Sequence, residues 1–255
     1  MSRLTRMMSV LAASLLIGAA PFAIAASSSD ANKPDMMQRA KLAEERGDLA
    51  FVHNNYSQSE AYYQAAVRID RNNATLYNKL GISALQLHQI GFARRSFQQA
   101  LKCDPQSTAA VNNLGAVALR DKKYTEAVDY FKKALATDES SASTHVNLAE
   151  AWIMLKEFDR ATTEYARALE LDADVFSDSQ GGSLIQLSSP EQRARVDYLI
   201  AKSYMKRGNL EGALDYLGRA KELHLPGLAK VYTDPDFAPL WKDPRLAKIV
   251  KPSMI

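Results

Sequence analysis

Cysteine is nearly absent from this chain. Cys103 stands alone in 255 residues, so no intramolecular disulfide can form. Histidine is scarce as well, and His53, His88, His145 and His224 lie far apart, none with a second ligand at metal-binding spacing. The sequence has no HExxH, GxSxG or CxxC and no glycine loop that could cradle a phosphate. Neither catalysis nor a cofactor is therefore expected. Charge of one sign is also missing: 32 basic residues face 29 acidic ones, with no basic run or arginine-rich stripe. Nucleic acid leaves a basic footprint and stacking aromatics on its partners, so it is not expected here.

Long apolar runs are missing with one exception. Arg3 and Arg6 precede a run from Met7 to Ala20, followed by Pro21 and the small-residue site Ala23-Ile24-Ala25. This is the layout of a secretory signal, residues 1–25, and the run falls short of the ~20 apolar residues that span a bilayer. After cleavage no integral membrane segment is expected. An exported chain without disulfides suits a bacterial periplasm, with secretion as the alternative. Residues 26–35 read as a polar, disordered leader, with Asp35 capping a helix from about Met36.

What the sequence does contain is a spacing of 34 residues. Gly47, Gly81, Gly115 and Ala149 are one period apart, as are Ser59, Ala93, Ala127 and Ala161. Tyr63, Phe97, Phe131 and Tyr165 form a third column, and Ala66, Ala100, Ala134 and Ala168 a fourth. Small residues allow two helices to cross closely, an aromatic fills the space between them, and the next Ala seats the following unit. A helix pair cannot bury its apolar stripe alone, so such units stack into a continuous core.

With Tyr77, Leu80, Gly81, Ala93, Phe97, Ala100 and Pro105 in place, the chain resembles the tetratricopeptide repeat family, whose unit is 34 residues of helix–turn–helix. Units start at Ala74, Thr108 and Ala142, with a degenerate one from Ala40, and Ala201, Tyr204, Ala213 and Ala220 restore the pattern later. The resemblance implies an all-α, right-handed helical solenoid of stacked tetratricopeptide helix pairs, with one insertion and a C-terminal cap. Units 1–4 span 36–173. Residues 174–193 are a non-repeat insertion and helix start, in which Ser189 is the expected cap before Pro190. Unit 5 spans 194–227. The cap, 228–255, carries two Asp-Pro helix starts and a cluster of Phe237, Leu240 and Trp241 that would cover the last unit. Cys103, on the inner side of a second helix, reads as a buried small hydrophobe.

In such stacks the first helix of each pair lines the concave side. Those positions carry Asn78, Asn112, Asn113, Arg120, Asn147, Glu150 and Lys202, the candidate peptide-binding residues. Asn113 and Asn147 sit one period apart, like the asparagine ladder by which some family members hold a peptide backbone. The family's cationic clamp for C-terminal carboxylates is not reproduced, because Glu44 and Asp48 stand in its place. The implied function is a non-catalytic scaffold or adaptor for a protein or peptide, in a cell-envelope complex. The alternative is a structural subunit docking through its insertion or cap. N-terminal sequencing of the exported chain should begin at Ala26; an intact Met1 in the envelope fraction would refute the signal assignment.

Overall fold

The structure, a computed structural model, describes residues 33–176 and 190–251. The signal segment, the leader up to residue 32, the Ser189 cap and the rest of 177–189 lie outside the described residues. The pairs are α1 (Lys33–Val52) with α2 (Tyr56–Ile69), α3 (Ala74–Gln86) with α4 (Ile90–Cys103), and α5 (Thr108–Arg120) with α6 (Tyr124–Thr137). Then follow α7 (Ala142–Met154) with α8 (Phe158–Leu171), and α9 (Pro190–Lys206) with α10 (Leu210–Glu222). Two 3-10 helices, Leu228–Tyr232 and Pro235–Leu240, and a short α11 (Pro244–Ile249) close the chain. Each pair packs on the next, giving an all-α solenoid.

Local chemistry repeats with the period. Asn73, Ser107 and Ser141 cap α3, α5 and α7, their side chains accepting from the N–H of Leu76, Ala110 and Thr144. These caps satisfy donors that the first turn of a helix leaves open. The turn inside each pair passes through a left-handed residue: Asn54, His88, Lys122 and Lys156, with glycine (Gly208) in the fifth pair. His88 is thus an exposed turn residue.

The glycine column explains the crossing. A Cβ added at Gly47, Gly81 or Gly115 would sit 2.5, 2.4 or 2.5 Å from the Cε1 of Tyr63, Phe97 or Phe131. Each ring therefore lies directly on backbone, and Phe97 and Phe131 are fully buried. Between pairs the contacts are equally close: Ser59 Oγ lies 2.9 Å from Ser83 Oγ, and Ser203 Oγ donates to the Thr162 carbonyl at 3.0 Å. The insertion does not interrupt stacking. The Ala149 and Ala168 columns resume 52 residues later at Ala201 and Ala220, both fully buried. Phe176 ties the two sides, packing edge-on to Tyr165 and Tyr216 and accepting from the Tyr216 hydroxyl at 3.1 Å.

Three expectations are corrected. The first helix begins at Lys33, so Asp35 lies in its first turn, where it complements the helix dipole without capping it. Cys103 is half-buried at the end of α4, its Sγ 3.8 Å from the Arg71 carbonyl oxygen. Phe237 and Leu240 are fully buried together with Leu246, but Trp241 is 41% exposed, its indole N–H donating to the Val231 carbonyl at 2.8 Å. In a 3-10 helix residues three apart share a face, so position 241 turns away from 237 and 240.

Gly115→Leu should cost roughly 1–3 kcal/mol by overpacking against Phe131. Urea unfolding measures it, and an unchanged midpoint would mean that the ring does not lie on the Gly115 backbone.

Candidate functional site

The concave face is built from α1, α3, α5, α7 and α9, and its polar residues are largely joined to one another. Lys79 donates to Glu44 at 2.7 Å, Asn113 to Asn78 at 2.8 Å and Asn147 to Asn112 at 3.1 Å, each across 35 residues. One position of each first helix thus accepts from the next position of the following first helix. A fourth step would join Val146 to Leu199, both apolar, and the ladder ends there. Arg120 follows the same spacing, its Nη1 donating at 2.9 Å to the carbonyl of Leu85 in the last turn of α3. That carbonyl also accepts from the His88 N–H at 3.1 Å, in the turn that ends α3.

The expected site residues separate into two groups. Asn78, Asn112, Asn113 and Arg120 are half-buried and line the inner side of α3 and α5. Asn147 is 9% exposed and Glu150 1%, within an α7 that is buried from Thr144 through Ile153. Lys202 belongs to the joint with the cap: its Nζ lies 3.0 Å from Asp234 and 2.9 Å from Asp236, and the Tyr198 hydroxyl donates to Asp234 at 2.9 Å. Burial alone would lower the Lys202 ammonium, but its hydrogen bonds to Asp236 and Asp234 outweigh that and hold it above its usual value. Burial alone would raise the Asp234 carboxyl, but the hydrogen bonds from Lys202 and Tyr198 hold it below.

One cluster escaped sequence reading. Lys79 bridges Glu44 and Asp48 on α1 at 2.7 and 2.8 Å, and the Tyr63 hydroxyl donates to Asp48 at 2.6 Å. The available signal was an acidic residue followed 35 positions later by a lysine. Arg120 differs from Lys79 and Lys202. Its guanidinium is held below its usual pKa by burial, and its hydrogen bond goes to a carbonyl rather than a carboxylate. Five N–H donors sit on that group, and the Leu85 carbonyl takes one of them. His145 is structural, bonded through Nδ1 to Glu164 at 2.7 Å and through Nε2 to the Glu139 carbonyl at 3.3 Å. Among the described residues no group of three or more His, Cys, Asp or Glu could hold a metal ion, and no helix is long and apolar enough to cross a membrane.

Two models of the tetratricopeptide repeat family match, over residues 78–142 and 118–187. Residues 78–187 belong to the tetratricopeptide repeat family. Among solved structures, MamA 41-end from Desulfovibrio magneticus RS-1 is 17% identical, covering 72% of this chain and 94% of its own, with a TM-score of 0.50. Another MamA protein is 18% identical over 78% of this chain and 96% of its own, with a TM-score of 0.49. YrrB, a TPR protein with an unusual peptide-binding site, is 18% identical over 80% of this chain and 96% of its own, at 0.48. At such identities the likeness concerns the fold alone. No curated protein matches the chain significantly.

The joint between the fifth pair and the cap yields a test. With Asp234 held below its usual 3.8, its contribution is present at neutral pH and disappears as the medium is acidified below that value. Lys202→Ala, which leaves Asp234 and Asp236 facing one another, should cost about 1–3 kcal/mol at pH 7. Thermal melts at pH 7 and below pH 3.8 would show the difference shrinking on acidification; a constant difference would contradict the ion-paired joint.

Proposed function

We propose that this repeat protein is a non-catalytic scaffold that holds an extended peptide segment of a partner protein against α3 and α5. The observation carrying this reading is Arg120: a half-buried guanidinium on the concave face, bonded to a backbone carbonyl instead of a carboxylate. A desolvated cation gains most from an anionic partner, which here would be a carboxylate of the peptide. Two turns earlier on the same face of α5, Asn113 spends one amide N–H on Asn78 and keeps an N–H and its carbonyl oxygen for a peptide backbone. Ile82, Ala116 and Leu119, all half-buried, supply apolar contact between these groups. The buried Asn147 and Glu150 and the ion-paired Lys202 have no part in the proposal. Its setting, an exported protein serving a cell-envelope complex, rests on residues 1–25 and belongs to the same proposal.

The test compares proteins captured from envelope extracts by the wild-type chain and by Asn113→Ala/Arg120→Met, with equal helicity as the control. Loss of a partner's affinity by about tenfold or more is the expected result. A partner held equally by both would reject the groove and favour docking through the cap, where Trp241 is exposed.

A further inference from the structure

Seven large apolar side chains are exposed among the described residues, and five of them, Met36, Met37, Leu42, Leu49 and Val52, belong to α1. Leu42 and Leu49 are 47% and 61% exposed. One, two and three periods later the Leu42 column is closed: Leu76, Ala110 and Thr144 are 1%, 0% and 2% exposed. The Leu49 column is closed as well, with Ser83, Val117 and Ala151 all buried. In those pairs this face meets the second helix of the preceding pair, as the Ser59–Ser83 contact shows. No pair precedes α1 among the described residues. The opposite end is sealed by Phe237, Leu240 and Leu246.

The exposed face is self-complementary. Outward from the bond between positions 45 and 46 stand Glu45 and Arg46, then Leu42 and Leu49, then Gln38 and His53. If two such helices run antiparallel about a twofold axis at that bond, leucine meets leucine, glutamate meets arginine and the outer polar residues meet each other. Glu45 and Arg46 are both exposed, and the ion pairs of α1 use Glu44 and Asp48 instead. Val52 then faces the aliphatic stem of Arg39. A heterologous partner would not require this mirror arrangement, whereas an isologous interface does.

We propose that α1 is a homodimer seam, on which a second copy of this chain packs antiparallel with Leu42 of one copy on Leu49 of the other and Glu45 opposite Arg46. The seam lies outside the peptide groove, so either reading can fail without the other. Sedimentation velocity of the full chain across a dilution series is the test. The wild type should show a monomer–dimer equilibrium, and Leu42→Asp/Leu49→Asp should weaken it by about 100-fold or more with helicity unchanged. Glu45→Arg should weaken the dimer about tenfold, and adding Arg46→Glu should restore it. Asn113→Ala/Arg120→Met should dimerise like the wild type. A wild type that stays monomeric, with α1 left to another protein or another segment, would overturn the proposal. So would a dimer indifferent to Leu42→Asp/Leu49→Asp, or a double charge swap no better than Glu45→Arg alone.

Discussion

An aromatic ring resting on bare backbone sets the geometry of the whole chain. Tyr63, Phe97 and Phe131 each occupy the space a Cβ would need at Gly47, Gly81 and Gly115. That contact fixes how closely the two helices of a pair cross, and with it the direction in which each pair presents its faces. Stacking then follows, because identical pairs meet through identical columns. The alanines of the second helices, Ala93, Ala127, Ala161 and Ala213, are all fully buried. The constraint has some tolerance: Ala149 stands where the glycines stand, and its partner Tyr165 remains fully buried. A tightly packed interior transmits such a change to its neighbours, so the fourth pair can differ in detail while keeping its place in the stack.

Legibility in the sequence followed volume rather than polarity. The Gly, aromatic and Ala columns repeat one size at one spacing, so helix positions and the resumption of the stack at Ala201 could be read directly. The polar contacts of the inner face could not. They join residues 35 positions apart, one more than the repeat, as from Glu44 to Lys79 and from Asn112 to Asn147, and one acceptor, at Leu85, is a backbone carbonyl that no side chain announces. A residue counted onto the concave side is open only if its neighbours leave it open. Asn147 and Glu150 face that side by position and are buried there. Lys202 is taken up by the cap for a related reason. Its partner Asp236 lies in a Pro-containing 3-10 helix, capped by its other partner Asp234, that does not look like a repeat.

That cap is nevertheless a degenerate continuation of the solenoid. Lys202 pairs with Asp236 across 34 positions, and Arg245 of α11 pairs with Glu211 of α10 across the same interval. The cap therefore keeps the register while its helices become short. A 3-10 helix and the short α11, each started by Asp-Pro, place Phe237, Leu240 and Leu246 over the fifth pair. Terminal units of a solenoid have one neighbour instead of two and so lose half of the stacking that holds an internal unit.

Charge is distributed along the inner face in the way that inequality demands. At each end a lysine sits between two carboxylates: Lys79 between Glu44 and Asp48, Lys202 between Asp234 and Asp236. These partly buried triads bind neighbouring pairs where stacking alone is weakest, and partial burial makes them stronger than a surface pair. Between them the contacts are neutral amides, each hydrogen bond contributing only about 1 kcal/mol net. A neutral amide exchanges one partner for another at little cost, whereas a desolvated ion pair does not. The middle of the face is thus the region where an incoming peptide backbone competes on equal terms with the protein's own bonds. Arg120 lies in that middle region, and its position leaves the stack its one concave-face cation that answers to a carbonyl instead of a carboxylate among the residues described.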